Sequence, residues 1–208
     1  MTPLFEAYLL GSPEFRLNGE VLPFIVTRKT LSLLAYLLLH SHITYSREKL
    51  ASLFWGDVSD QQARHSLRTA LASLRKKLGA ELFITDRETI QINTDISILV
   101  DALQLEKVAN AASKGELRNL QDAIALYRGD LLAEFYDDWI LRERDHFRNL
   151  YLDLLLQMTH LMRSRSEYAR AINYAERALE SDPANERAHQ HLIFCHLANG
   201  DRSAAVSD

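Results

Sequence analysis

The stretch "ARHSLRTALASLRKKLG" at residues 63–79 carries the clearest periodic pattern in the sequence. Its apolar residues recur at intervals of three and four, the spacing of one face of a helix. We therefore predict a helix over residues 59–78 that buries a single stripe of side chains: Ala63, Leu67, Ala70, Leu71, Leu74 and Leu78. Between residues 59 and 78 five Lys or Arg residues face only one acidic residue, Asp60. The basic face of such a helix either is simply solvated or binds a polyanion. The elements that precede and follow it in the sequence favour one of these alternatives.

Charge divides the chain into two parts. The 208 residues carry a net charge of −4, and 47% of them are hydrophobic, which is enough for packed cores. Residues 1–95 contain eleven Lys or Arg against ten Asp or Glu, whereas residues 96–208 contain thirteen against eighteen. We predict one domain over residues 1–95 and a second over residues 96–208, with different partners.

Cysteine content and hydropathy predict a cytoplasmic protein without a membrane partner. Cys195 is the single cysteine, so an intrachain disulfide is excluded and a reducing compartment fits best. The longest apolar run, residues 31–39, is too short to cross a bilayer. The N-terminus lacks the basic and apolar segments of a signal peptide.

The first domain shows strands, three helices and a hairpin. Strand-like residues from Phe5 to Phe24 are interrupted by the turn dipeptide Asn18-Gly19. Helices follow with predicted caps at Thr27, at Ser46, and at Ser59 or Asp60, and Gly79 ends the third. Residues 82–85 and 90–93 then form a hairpin around residues 86–89. Two helices, a basic third helix and a two-stranded wing are the order of a winged helix-turn-helix.

The second domain is predicted to be all helical, from about Ile98 onward. It contains a long helix over residues 138–165 and a helical pair over residues 167–180 and 185–199. Residues 166–172 and 200–206 are similar and lie 34 residues apart, the tetratricopeptide period. The chain stops inside a helical pattern, so we expect a cut through a longer protein with an open apolar edge around Leu192, Cys195, Leu197 and Val206.

The basic helix predicts the candidate DNA contacts. Opposite the leucine stripe lie short polar residues, which would let the helix approach base edges: His65, Thr69 and Ser73. Cations beside them would neutralise phosphates: Arg64, Arg68 and Lys76. Lys29 and Arg47, near the starts of the first two helices, are predicted supporting phosphate contacts, as is Arg87 in the wing.

No pattern in the sequence predicts catalysis, a cofactor or a metal. A glycine-rich phosphate loop is absent. His189, His191 and His196 lie near Cys195, but their spacing does not complete a zinc ligand set. We therefore expect neither an enzyme nor a cofactor.

The same residues resemble a known family. The segments "TRKTLSLLAYLLLH", "SREKLASLFWGD" and residues 63–79 resemble the OmpR-like, response-regulator type of winged helix found in bacterial antibiotic-regulatory proteins. The segment "LYRGDLL" and the tetratricopeptide-like helices resemble the bacterial transcriptional activator domain that follows it. The resemblance implies a transcriptional activator that reads direct repeats near promoters and works with RNA polymerase. The chain departs from the family pattern in the wing, where Asp86 and Glu88 flank Arg87.

Two other functions stay open at this point. Winged helices and tetratricopeptide-like pairs also bind proteins, so the chain could be an interaction scaffold without DNA binding. A nucleotide-driven switch could also lie beyond residue 208, with this chain as its output module. A homodimer is expected if two copies occupy adjacent repeats.

Overall fold

The computed structural model describes residues 4–23, 26–112 and 117–201. Phe24 of the predicted first sheet and Val206 of the predicted apolar edge lie outside these residues, as does the second half of the proposed repeat after Asp201. In chain order the strands and helices are β1 (Leu4–Tyr8), β2 (Glu14–Leu17), β3 (Glu20–Val21), α1 (Arg28–Leu39), β4 (Tyr45–Ser46), α2 (Arg47–Trp55), α3 (Asp60–Leu78), β5 (Phe83–Thr85), β6 (Thr89–Ile92), β7 (Ser97–Val100), α4 (Asp101–Ala112), α5 (Leu117–Leu126), α6 (Asp138–Ser164), α7 (Tyr168–Ser181) and α8 (Glu186–Ala198).

The chain forms two compact units. The first contains Met1–Asp101 together with the short segment Glu134–Asp137, and the second contains Ala102–Ala133 and Asp138–Asp208. Within the first unit the short segment contacts α1 through a 2.7 Å hydrogen bond, which Arg28 Nη2 donates to the carbonyl oxygen of Glu134. The sequence placed the boundary at residue 95, six residues before the end of the first continuous stretch.

A four-stranded sheet opens the first unit, in the order β3-β2-β1-β7. Strands β1, β2 and β3 are antiparallel neighbours. Asn18 and Gly19 connect β2 to β3 with φ angles of +53° and +85°. Positive φ at both positions is what a two-residue turn of type I′ requires, as the Asn-Gly dipeptide predicted.

Strand β7 corrects the sequence prediction, which placed a helix from about Ile98. Residues Ser97–Val100 pair in parallel with β1, and the helix begins only at Asp101. The carboxylate of Asp101 accepts hydrogen bonds from the backbone N–H groups of Leu9 and Leu10 at 2.7 and 3.0 Å. The segment Ser97–Val100 is short and apolar, and the periodicity of such a segment fits a strand as well as a helix. It forms a strand because β1 offers a free edge for pairing.

Helices α1, α2 and α3 begin at the predicted caps. The side chains of Thr27, Ser46 and Ser59 each accept a hydrogen bond from a backbone N–H in the first turn. Ser59 and Gln62 form a reciprocal capping box. The buried residues of α3 are the six residues of the predicted stripe. Helix α2 buries Leu50 and Phe54, whereas Leu53 is 43% exposed.

The wing follows α3 as predicted. Strands β5 and β6 pair antiparallel, and β4 pairs with the other edge of β6, giving a three-stranded sheet. Gly79 ends α3 at φ +93°. A side chain at this position would be strained, and its Cβ would lie 2.5 Å from the Glu81 carboxylate.

The second unit is helical. Three alanines with no exposed surface, Ala171, Ala175 and Ala178, form the buried face of α7, which packs between α6 and α8. Buried Arg144 on α6 donates hydrogen bonds to the carbonyl oxygens of Leu131 and Leu132, at 3.0 and 2.7 Å. Trp139 is buried at the start of α6.

The apolar face of α8 differs from the predicted edge. Leu192 and Cys195 are buried, because α8 turns them toward the other helices of the unit. The exposed apolar residues of α8 are Ile193, Phe194 and Leu197. Of the four residues in the predicted open edge, only Leu197 is found exposed within the described part of the chain.

Residues of the "LYRGD" segment form a polar network in the second unit. Tyr127 stacks on Tyr151 of α6, with ring centroids 4.1 Å apart, and its hydroxyl donates a 2.7 Å hydrogen bond to Asp130. Arg148 donates from both Nε and Nη2 to the same carboxylate. Arg177 of α7 donates a 2.8 Å hydrogen bond to the Tyr151 hydroxyl. The motif thus connects the segment after α5 to α6 and α7.

Candidate nucleic-acid interface

The exposed face of α3 presents the residues predicted to approach bases. His65 and Thr69 are exposed and Ser73 is partly exposed. The Thr69 hydroxyl donates a 3.1 Å hydrogen bond to the His65 carbonyl oxygen, which leaves its lone pairs free to accept. Ala72 is also exposed, so the middle of this face is shallow.

The three cations predicted for phosphates on α3 are exposed as well. Arg64 forms an ion pair with Glu48 of α2, with Nη2 and Oε1 3.3 Å apart. Within the described residues Arg68 and Lys76 form no hydrogen bond or ion pair. Arg68 and Lys76 can therefore bind a new anion without first breaking a contact.

A cleft of about 770 Å³ lies between α3 and the wing. Five arginines line it, together with three carboxylates, and these charged residues are Arg47, Arg64, Arg68, Arg75, Arg87, Glu48, Asp86 and Glu88. The structure thus brings together four of the six residues predicted for phosphates. Arg75 was not among them. It donates a hydrogen bond from Nη2 to the Thr85 hydroxyl in β5, a contact that only the folded wing supplies.

The acidic wing tip is internally paired. The Asp86 carboxylate accepts hydrogen bonds from the backbone N–H groups of Thr89 and Glu88 and from the Thr89 hydroxyl. These hydrogen bonds hold the pKa of Asp86 below its ordinary value, and the charge of Arg47 adds to the effect. Arg47 Nε in turn donates a 3.0 Å hydrogen bond to the Asp86 carbonyl oxygen. Arg87 is exposed at the tip, and the described structure gives its side chain no partner.

Lys29 lies apart from the arginine cleft. It pairs with Asp57 in the turn between α2 and α3, with Nζ and Oδ1 3.2 Å apart. A hydrogen bond from the backbone N–H of Asp57 to its own carboxylate, and then the contact with Lys29, lower the pKa of Asp57. On this side of α3 a groove of about 690 Å³ is lined by His65, Thr69 and Ser73, together with residues that include partly exposed Trp55 and the N-cap Thr27. The residues predicted for bases therefore line one flank of α3, and Arg64 and Arg68 line the other.

Comparison with known families agrees with this arrangement. The family model described as "Bacterial transcriptional activator domain" matches residues 94–208, more than half of the chain. The chain belongs to this family. A second model, "Transcriptional regulatory protein, C terminal", matches residues 22–94, which include the three helices and the wing. The sequence resembled a regulator in which a bacterial transcriptional activator domain follows an OmpR-like winged helix. These two matches confirm that resemblance.

Two relatives extend the comparison. The chain is 25% identical over 183 residues to the regulatory protein AfsR of Streptomyces griseus, covering 85% of this chain but 19% of the relative. The structure of Mycobacterium tuberculosis EmbR in complex with a low-affinity phosphopeptide has a TM-score of 0.79 and 19% identity. It covers 99% of this chain, which spans 57% of that protein. The likeness confirms the predicted fold class, a winged helix followed by a mainly α second part.

Both matched models describe domains of transcriptional regulators, so the family indicates regulation of transcription as the function of this chain. Both matched families are regulators rather than enzymes. Within the described residues, no cluster of three His, Cys, Asp or Glu residues could hold a metal ion. The helices that the structure describes include none long and apolar enough to cross a membrane.

Proposed function

We propose that the chain is a sequence-specific transcriptional activator that inserts α3 into the major groove of double-stranded DNA. The single observation that carries this proposal is the exposed face of α3, where short polar side chains are flanked by unpaired cations. His65, Thr69 and Ser73 are short enough to bring the helix close to base edges. Arg68 and Lys76 can neutralise phosphates without losing an internal partner.

The wing and the helix N-termini supply supporting contacts in this proposal. Arg87 contacts the phosphate backbone from the wing tip, and Arg64, Arg47 and Arg75 line the cleft beside it. The turn hydrogen-bonds both oxygens of the Asp86 carboxylate, which fixes this charge within the wing tip and leaves Arg87 free to contact DNA. Lys29 adds a phosphate contact at the start of α1 once its pair with Asp57 opens.

Salt-dependent binding tests the proposal. We would measure affinity for a random duplex and for a duplex selected from a random pool by fluorescence anisotropy at several salt concentrations. Arg68→Ala should weaken binding to both duplexes and reduce the salt slope by about one ion. Arg142→Ala is the matched control, because Arg142 is an exposed arginine of the second unit.

An affinity that does not change with salt, or equal losses in Arg68→Ala and Arg142→Ala, would contradict DNA recognition by α3. The interaction scaffold would then be the better description, since tetratricopeptide-like pairs stack into surfaces that bind proteins.

We also propose that the helical unit carries the protein contacts, with RNA polymerase and with a second copy on direct repeats in promoters. Residues 96–208 are net negative, which disfavours contact with DNA and favours a protein partner. The exposed apolar residues of α8, Ile193, Phe194 and Leu197, form the surface expected for self-association. Sedimentation with and without a duplex carrying two repeats should show two copies per duplex, and Phe194→Ser should reduce cooperativity. Single, non-cooperative occupancy would contradict self-association.

A further inference from the structure

A cavity of about 630 Å³ opens among α5, α6 and α8 in the second unit. Its apolar walls are Leu120, Leu156 and Leu161. Its polar walls are Gln157, His160, Arg163, Arg187, Gln190 and His191. The volume lies within the range of small-molecule sites, about 300–1,000 Å³.

The charge around this cavity is of one sign. Two arginines and two histidines line it, and no carboxylate is among the lining residues. Arg163 Nη1 lies 3.0 Å from His191 Nδ1. Because a guanidinium can only donate, Nδ1 accepts and the ring proton of neutral His191 is on Nε2.

The environment of His191 reflects this uncompensated charge. Burial lowers its pKa below the ordinary value, and Arg163, His160 and Arg187 lower it further. These cations come from α6 and from α8 itself, and none of the causes that shift this histidine is a carboxylate. An anion placed here would therefore meet cationic groups that the described part of the chain does not neutralise.

Several donors around the cavity also lack a partner within the described residues. The side chains of Gln157, His160, Arg187 and Gln190 form no hydrogen bond or ion pair there. Arg163, by contrast, is oriented by its contact with His191 and by the Phe194 ring, whose centroid lies 4.4 Å from its Cζ. One arginine is thus held in place at the cavity and a second is free to bind.

We propose that this cavity binds a small organic anion, with its apolar body against the leucines and its anionic head at Arg163, Arg187 and His191. Arginine binds planar carboxylates and phosphates through paired N–H donors, and such charge-assisted hydrogen bonds are stronger than neutral ones. The Nε2–H of His191 supplies a further donor. Carboxylate and phosphate heads share this chemistry, so the probes must separate them.

Calorimetric titration of the full chain with benzoate and with phenyl phosphate tests the proposal and ranks the two heads. Binding of either probe, with weaker binding of both benzyl alcohol and inorganic phosphate, would show that body and head are both needed. Arg187→Gln should weaken binding tenfold or more. Arg165→Gln, an exposed arginine that does not line the cavity, should leave binding unchanged. No binding at millimolar concentration, or equal losses in the two variants, would overturn the proposal.

The histidine provides a second readout in the same protein. A bound anion stabilises the imidazolium, so the pKa of His191 measured by NMR should rise on addition of the probe that binds. The ring resonances of His189, which does not line the cavity, should shift less on addition of the same probe. A His191 pKa that is unchanged by a saturating probe would place the ligand elsewhere and overturn the assignment. The DNA affinity of Arg187→Gln is measured separately. This measurement distinguishes a failure of anion binding from a failure of the proposed DNA binding.

Discussion

The Arg64 guanidinium on α3 lies 3.3 Å from the Glu48 carboxylate on α2, and both side chains are more than half exposed. An exposed pair of this kind contributes little to stability, typically about 0–1 kcal/mol. Its consequence lies at the interface, because Glu48 occupies the position of an anion beside the cation that we assign to a phosphate. DNA binding must exchange one anion for another at Arg64.

Removing this internal competitor should therefore strengthen DNA binding. We expect Glu48→Gln to raise affinity for a random duplex several-fold and to steepen the salt slope by about one ion. Anisotropy titrations at four or more salt concentrations measure both quantities. Glu176→Gln makes the same charge change at an exposed position of α7 and should alter neither quantity. Weaker binding by Glu48→Gln would show that the pair positions Arg64 rather than competing with DNA.

His65 offers a test of base recognition rather than of charge. We expect His65→Ala to reduce affinity for the selected duplex by about 1–3 kcal/mol. Water that fills the space of the lost side chain contributes less binding free energy than the base contact did. Affinity for a random duplex should stay the same, which provides the internal control. An equal loss of affinity for both duplexes would show that His65 contacts a phosphate rather than a base.

Arg47 combines a charge with a structural contact. Its Nε donates a hydrogen bond to the carbonyl oxygen of Asp86 in the wing tip, and its side chain lines the cleft that we propose faces DNA. We expect Arg47→Ala to reduce the salt slope by about one ion and to lower DNA affinity. Arg47→Lys keeps the charge and removes the Nε donor, so it should restore the slope. Equal slopes in the wild type and in Arg47→Ala would mean that Arg47 acts only within the protein.

Asp101 should be important for the stability of the first unit. Its buried carboxylate accepts from two backbone N–H groups at the end of β1, and in Asp101→Asn an amide N–H would face one of these donors. We expect the free energy of unfolding to fall by about 1–3 kcal/mol, measured by chemical denaturation. Asp95→Asn, at an exposed position, is the control and should be close to neutral. Equal stability of the two variants would contradict this role.

The pH dependence of stability should report on Asp130 in the second unit. Burial raises its pKa, but hydrogen bonds from Arg148 and Tyr127 outweigh burial and hold the pKa below the ordinary value of 3.8. A lowered carboxyl pKa stabilises the fold above pH 3.8, and this stabilisation is lost as the pH falls through the folded pKa. Asp130→Asn should be less stable by about 1 kcal/mol at pH 7, after allowance for its partial exposure.

The difference between the wild type and Asp130→Asn should shrink as the pH falls below 3.8 toward the lowered pKa of Asp130. Thermal unfolding of both proteins over pH 3–7 measures it. Asp122→Asn, on the exposed side of α5, should follow the wild type at every pH. A difference that stays constant down to pH 3 would exclude charge as the origin of the effect.

Local signals in the sequence predicted most of the elements. The stripe of α3, the caps at Thr27 and Ser46 and the Asn18-Gly19 turn each depend on residues a few positions apart. Interactions between distant segments were harder. Strand β7 forms because β1 has a free edge with which it pairs. No residue within four positions of Ile98 indicates this pairing.

The candidate interface shows the same division. Helical geometry alone placed His65 and Arg68 on the exposed face of α3, where the structure has them. Arg75 was missed because its hydrogen bond to Thr85 depends on where the wing folds back. The exposed face of α8 was assigned incorrectly because both Phe194 and Cys195 are apolar, and only packing decides which of them is buried.

The parallel pairing of β1 with β7 also constrains how the protein is made. Strand β1 is synthesised about 90 residues before β7, an interval of roughly 5–20 s at typical translation rates. During that time the edge of β1 that β7 will cover has no partner, and unpaired edges invite association with other chains. A nascent chain therefore cannot complete its first sheet until the whole winged helix has been translated. Expression of a fragment that ends after the wing would leave the same edge open permanently.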